Sequence, residues 1–220
     1  MNTIPLQQRP PISDKESLER VIHFHQLMNQ RRSVRQFSNR PVDRAVIESA
    51  ILTAGTAPSG ANLQPWHFVA ISDQQVKHSI RLAAEDEEKD FYAHRAPPEW
   101  LAVLEPIGTD ANKPFLEIAP WLIACFVQTH SLRDDGLVQK HYYAVESVGI
   151  AVGMLITSLH QAGLVTLTHT PSPMKFLNTL LHRGANERPF LLLVVGHPSS
   201  DAVVPDIHRK TLERISTFIS

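Results

Sequence analysis

Cysteine is almost missing from these 220 residues: Cys125 stands alone, so no internal disulfide can form. Its place in the run Trp121-Leu122-Ile123-Ala124-Cys125-Phe126-Val127 reads it as an inert core residue. Charge of either sign is not in excess, because 21 basic side chains meet 22 acidic ones and leave a formal −1. That balance gives no electrostatic case for nucleic acid or an anionic membrane. No apolar stretch approaches the roughly 18 residues of a transmembrane helix, and Met1 to Pro11 lacks the basic-then-apolar build of a signal peptide. The expectation is a soluble, cytoplasmic protein without a membrane or nucleic-acid partner. Motifs are missing too. The 12 histidines form no His-Glu-x-x-His or Cys/His cluster, so no metal site is expected. There is no Gly-x-Gly-x-x-Gly after a strand to mark a dinucleotide-binding domain. Without a Gly-x-Ser-x-Gly elbow, Ser59 is a poor hydrolase nucleophile.

What the chain does contain is a regular succession of helices and strands. With no low-complexity linker, residues 1–220 are expected to form one domain, with 1–12 (Pro5, Pro10, Pro11) an extended arm. Ser13-x-x-Glu16 predicts a capping box before a helix bearing Leu18, Val21, Ile22, His25 and Met28 at helical spacing. Pro41-Val42-Asp43 opens a second helix with Val46, Ile47, Ala50, Ile51 and Ala54 on one face. A strand over Trp66–Ile71 and a helix over Gln75–Arg81 lead into the acidic run Glu85-Asp86-Glu87-Glu88. About residues 85–114, carrying Pro97, Pro98, Pro106, Gly108 and Pro114, read as a loosely ordered active-site lid. Pro120–Val127 predicts a central strand. A long helix from about Val138 to Ala162 reads as buried most of the way round. Leu164–Thr168 and Phe190–Val195 complete the strands. Helices between strands give an α+β or α/β plan, with the sheet covered on both faces.

Two blocks concentrate polar chemistry. In Arg31-Arg32-Ser33-Val34-Arg35, an extended backbone puts Arg31, Ser33 and Arg35 on one side, where two guanidinium forks and a hydroxyl suit a phosphate. Ala57-Pro58-Ser59-Gly60-Ala61-Asn62-Leu63-Gln64-Pro65-Trp66 joins a small-residue turn to polar side chains, and the Gly60 and Ala61 amides could face a flat ligand. Together the blocks resemble the nitroreductase superfamily of FMN-dependent reductases, and across about residues 24–215 they resemble its iodotyrosine deiodinase branch. The similarity continues through Ala54-Gly55-Thr56-Ala57, His141-Tyr142-Tyr143, Ala162-Gly163-Leu164-Val165-Thr166, Thr170-Pro171 and Val204-Pro205-Asp206. Glu88, Tyr92 and Lys113 fall where that branch keeps its substrate-binding glutamate, tyrosine and lysine.

The resemblance implies an α+β, three-layer α/β/α nitroreductase fold with a central mixed sheet, assembled as an intertwined homodimer. It implies that Arg31, Arg32, Ser33, Val34, Arg35 and Arg209 hold FMN at its phosphate and polar edge, with Ser59 and Gly60 lining the flavin. Thr168, flanked by His169 and Thr170, reaches the flavin N5 as the catalytic hydroxyl. The Ala61 amide meets the substrate phenolate, and Glu88, Tyr92 and Lys113 grip the ammonium and carboxylate of a halotyrosine. The implied reaction is reductive dehalogenation, with NAD(P)H as electron donor, directly or through a reductase. Animal members carry a membrane anchor ahead of the catalytic domain, and this sequence looks instead like a soluble, bacterial-type homologue. A broad-specificity FMN-dependent nitro- or quinone reductase is the alternative within enzymes, and a flavin-binding sensor the alternative outside them. Taken singly, Glu88 reads as a solvated helix face, Lys113 as a surface lysine and Thr168 as a strand former. Only their joint spacing points to a site.

Overall fold

The protein is seen in a computed structural model that describes residues 3–8, 10–104 and 110–219, leaving aside the side chains of Trp100, Val103 and Leu104. The chain runs α1 (Asp14–Asn29), α2 (Arg44–Gly55), a 3₁₀ turn (Gly60–Asn62), β1 (Trp66–Ile71) and α3 (Gln74–Asp90). A π-helical turn (Phe91–Arg95), α4 (Pro98–Leu104), α5 (Phe115–Ile118), β2 (Trp121–Gln128), β3 (His130–Leu132) and β4 (Val138–Lys140) follow. Then come α6 (Ala144–Gln161), β5 (Val165–His169), α7 (Phe176–Leu180), β6 (Glu187–Gly196) and α8 (Leu212–Ile215). Two compact units divide it, one ending at Arg31 and the other beginning at Arg32.

In the first unit α1 begins where the capping pattern puts it, with the Ser13 hydroxyl accepting the Glu16 N–H at 3.2 Å. The Glu16 carboxylate does not close the box; it takes Arg20 at 2.6 Å instead. No residue of α1 is buried, so the stripe Leu18, Val21 and Ile22 stays exposed in the single chain.

The second unit is organised by a four-stranded sheet in the order β1-β2-β6-β5. Along β2, Ile123, Cys125 and Val127 point into one apolar cluster, and Leu122, Ala124 and Phe126 into another, as alternation along a strand requires. The first cluster is closed by Ile47, Ala50 and Ala54 of α2 and Val148, Val152, Leu155 and Leu159 of α6. Ile80 and Ala84 of α3, Phe115 and Leu116 of α5 and Leu177 of α7 close the second. Hence three layers form, and burial raises the Cys125 thiol far above its usual range.

Several expectations need correction. The sheet is not mixed: β1–β2, β2–β6 and β5–β6 all pair antiparallel. Among the described residues, Ser33↔Thr166 forms an isolated parallel bridge outside the named strands. A strand buried on both faces gives the same continuous apolar run whichever way its neighbours point. The long helix starts at Ala144, while Val138–Lys140 pairs with His130–Leu132 as a hairpin. His141 locks the exit, its ring nitrogens lying 2.9 Å from the Gln128 carbonyl and 3.0 Å from the Ser131 hydroxyl. The helix is also less enclosed than the expected burial most of the way round, since Val145 and Ile150 are exposed. The segment expected to be loosely ordered is helical at both ends of its first half: α3 runs on to Asp90 and α4 starts at Pro98, a favoured first-turn position for proline. Residues 105–109 lie outside the described residues.

No helix among the described residues is long and apolar enough to cross a membrane. One packing contact gives a stability test. A Cβ on Gly196, at the end of β6, would sit 2.6 Å from the Pro120 Cδ and 3.3 Å from the Phe37 Cδ1. Gly196→Ala should therefore overpack this corner and cost about 1–3 kcal/mol, read as a lower urea midpoint.

Candidate functional site

Residues after Arg31 run extended along the edge of β5. Val34 turns inward and donates its N–H to the Thr166 carbonyl at 3.1 Å, which leaves Ser33 and Arg35 on the other side. Arg35 thereby lines a cavity of about 190 Å³, and burial there lowers its pKa, opposed by nearby Tyr92. Arg32 donates to the carbonyl of Pro205, pinning the C-terminal tail to this segment. Arg209 is exposed in that tail and is not among the cavity's lining residues. Arg31 ends the other unit.

The end of strand β5 supplies the floor, with Leu167, Thr168, His169 and the following Thr170 all lining the cavity. Thr166 and Leu167 are buried, Thr168 is exposed toward the cavity, and His169 is buried again. His169 is 7 % exposed, its ring meets Phe115 edge-on with centroids 5.7 Å apart, and its Nε2 has no hydrogen-bond partner. Burial, then the charges of Lys113 and Arg35, push its pKa down to about 3, so the ring is neutral. A folded pKa below the ordinary 6.5 means that the unfolded chain takes up the proton first. Stability is then lost as pH falls from 6.5 toward about 3. The wild-type urea midpoint should drop more steeply than that of His169→Phe between about pH 7 and 5.

The opposite wall comes from the end of α3 and the segment before α5. Glu88 and Tyr92 are four residues apart on successive helical turns, so both face the same way. Lys113, 2 % exposed, sets its Nζ 3.3 Å from the Glu88 Oε2 and 5.9 Å from the centre of the Tyr92 ring, and donates to the Asp110 carbonyl. All three line the cavity with Arg35, Thr168 and Thr170. Each member of a desolvated ion pair offsets the cost of the other, and removing one leaves an uncompensated charge. Arg95 fastens the π-turn, donating to the Ser172 carbonyl at 2.6 Å and the Glu87 carbonyl at 2.8 Å.

The other polar block forms a strained loop. Ala61, Asn62 and Gln64 have φ of 50°, 54° and 47°, left-handed values that cost on the order of 1–3 kcal/mol each in non-glycine residues. The Ser59 hydroxyl steadies the loop by accepting the Gln64 N–H at 3.0 Å. At Gly60 a Cβ would come within 3.0 Å of the Tyr142 carbonyl oxygen, so the close approach of backbones favours glycine. Ser59, Gly60 and Ala61 are not among the residues lining the cavity.

A buried histidine nitrogen without a partner, an open threonine hydroxyl, an arginine and the apolar walls Phe91, Phe115 and Leu167 fit a flat, polar-edged ring system such as flavin. The sequence reading missed these walls, since isolated apolar residues carry no signal of a cavity. It also missed Arg81 and Glu85, which hold Lys113; their four-residue spacing on a helix was the available clue.

The chain matches the sequence model of the nitroreductase family over residues 28–197. It is 55% identical over 196 residues to an iodotyrosine deiodinase of Haliscomenobacter hydrossis, covering 89% of this chain and 88% of that protein. The chain belongs to the nitroreductase family, in its iodotyrosine deiodinase branch. Human iodotyrosine deiodinase 1 is 45% identical over 209 residues, 94% of this chain and 72% of its own length. A crystal structure of oxidized iodotyrosine deiodinase bound to FMN and 3-iodo-L-tyrosine superposes with a TM-score of 0.75 at 29% identity, covering 89% of this nitroreductase and all of that chain. A BluB-like flavoprotein of Clostridium difficile, at 20% identity and a TM-score of 0.67, shares the fold.

Proposed function

We propose that this chain is an FMN-dependent iodotyrosine deiodinase, which reduces iodotyrosine to tyrosine and iodide. The observation that carries the reading is the meeting of Glu88, Tyr92 and Lys113 in one cavity with Thr168. A zwitterionic amino acid presents one ammonium and one carboxylate. The Glu88–Lys113 pair presents their complements, and the Tyr92 hydroxyl adds a donor. On binding, each partner exchanges part of its mutual attraction for a charge on the substrate, so neither is stranded in the closed site. Closure of residues 85–114 would exclude water and strengthen both contacts.

FMN supplies, when bound and reduced, the two electrons that with one proton convert carbon–iodine into carbon–hydrogen and iodide. Arg31, Arg32, Ser33, Val34, Arg35 and Arg209 are assigned to its phosphate and polar edge, and Thr168, His169 and Thr170 to the ring near N5. Ser59 and Gly60 would line the flavin and the Ala61 amide would hold the substrate phenolate, supplied by a second copy in an intertwined homodimer. Exposed apolar side chains on α6 (Val145, Ile150) and in the tail (Phe218, Ile219) support a partner surface. NAD(P)H as donor, directly or through a reductase, a cytoplasmic location and a single domain over 1–220 belong to the same proposal.

The protein should purify yellow with about one FMN per chain, and Arg35→Ala should weaken FMN by about 1.5–3 kcal/mol through the lost charge-assisted bond. Fluorescence titration of the apoprotein with FMN reads this. Colourless wild-type protein that takes up no FMN contradicts the proposal.

A further inference from the structure

One face of α3 runs as a ladder along the segment that carries Lys113. Lys77, with no exposed surface, donates from Nζ to the carbonyls of Glu117 at 3.0 Å and Ala119 at 2.7 Å. One turn on, Arg81 reaches three partners: Glu85 Oε1 at 2.8 Å, Glu117 Oε2 at 2.8 Å and Asn112 Oδ1 at 3.1 Å. A further turn on, the same Glu85 Oε1 accepts the backbone N–H of Lys113 at 2.8 Å. Glu88 and Tyr92 then meet the Lys113 ammonium itself. Positions 77, 81, 85, 88 and 92 recur at three- and four-residue spacing, so they share one helical face.

The geometry points to Glu85 as a positioning residue for substrate recognition: oriented by Arg81, it fixes the backbone of Lys113 at the height on α3 where its ammonium meets Glu88 and Tyr92. Glu85 does not line the cavity and acts through Lys113. Glu85 is 8 % exposed, and it stays ionised because Arg81 and the Lys113 N–H outweigh the burial that opposes ionisation. A lysine has four rotatable bonds, and its ammonium can serve as a fixed point charge only if its backbone is held. The strap thus turns a flexible cation into a specific reader of the amino-acid carboxylate, while the cofactor half of the cavity, built on Arg35 and β5, is left untouched. The inference rests on the proposed role of Lys113.

The test is a double-mutant cycle on the FMN-loaded protein with 3-iodo-L-tyrosine as the probe. Glu85→Ala leaves the Lys113 N–H without its acceptor and should raise KM by about 10–100-fold, with kcat and FMN affinity changed less than about threefold. Glu85→Gln keeps an acceptor oxygen and should recover most of the loss. In a Lys113→Gln background, Glu85→Ala should add less than about twofold, because both changes act through one group. Arg81→Gln should give the same pattern, at about 3–10-fold. Equal losses in both backgrounds, or FMN affinity falling in step with KM, make Glu85 a structural strap only and overturn the inference. Failure of Glu85→Ala and Arg81→Gln alike to fold or hold FMN overturns it in the same way. If KM responds to Lys113→Gln but not to Glu85→Ala, the inference alone fails. If Lys113→Gln is itself without effect, the reading of the site fails first.

Discussion

Lys113→Gln and Glu88→Gln should each weaken iodotyrosine binding by about 2–5 kcal/mol, the range for truncating one partner of a buried charge pair. Three features of the site set that size. Lys113 is 2 % exposed, so its charge is little screened by water. Its ammonium lies 3.3 Å from the Glu88 carboxylate, so neutralising either strands the other. The substrate's ammonium and carboxylate have opposite signs, so both losses bear on one ligand. A halophenol has neither group, and FMN is assigned to other residues. Binding of both should change little. Flavin-fluorescence titration of wild type and the two variants with 3-iodo-L-tyrosine and 2-iodophenol separates the outcomes. Wild-type protein that binds the two ligands equally well would favour a broad nitroreductase.

The second large effect is expected at Thr168. In β5 the residues on either side of it are buried, Thr168 is the exposed one of positions 166–169, and it lines the cavity together with Leu167 and His169. That puts Thr168 beside the place where the ring of FMN is proposed to lie. Removing one preorganised donor from a reacting centre costs about 10²–10³ in kcat. Thr168→Ala should lose that much iodide release while keeping FMN. Reduction of a nitroaromatic, which makes no use of the lid trio, should persist. The strand itself should survive, because its ladder with β6 is made by backbone groups and an exposed Thr→Ala change leaves no core cavity. Iodide release at the wild-type rate would remove Thr168 from the mechanism.

Much of the frame was legible in the sequence where one local rule dominated. Ser13 starts α1 because a β-region serine followed by Glu16 satisfies an orphan N–H. Asp43 does the same for α2 at Ala45, 2.8 Å away. β2 follows from its apolar run, though strand direction does not, because two-sided burial erases the alternation that would reveal it. The β3–β4 hairpin was missed: His130–Leu132 and Val138–Lys140 are short and largely polar, and His141 rather than an apolar pattern turns the chain there. The acidic run after Arg81 looked like the end of a helix, yet α3 continues through it because Glu85 is neutralised by Arg81 and the Lys113 N–H. For the site the contrast is sharper. Lys113 looks like a surface lysine until α5 folds it against α3, a contact that no window of sequence around it contains. The resemblance to iodotyrosine deiodinases named Glu88, Tyr92 and Lys113 together. The supports Lys77, Arg81 and Glu85 stayed hidden, because charges at helical spacing look in sequence like a solvated face whether or not they are packed.

Removal of halogen from a halotyrosine is the activity proposed for the cavity that Thr168 shares with Glu88, Tyr92 and Lys113. It is tested most directly by mixing dithionite-reduced, FMN-loaded protein anaerobically with 3-iodo-L-tyrosine, following flavin oxidation and free iodide together. Flavin oxidation and iodide release should proceed with equal yield, with tyrosine as the product. Reduced flavin that stays reduced in the presence of saturating iodotyrosine, with no iodide formed, would contradict the proposed activity.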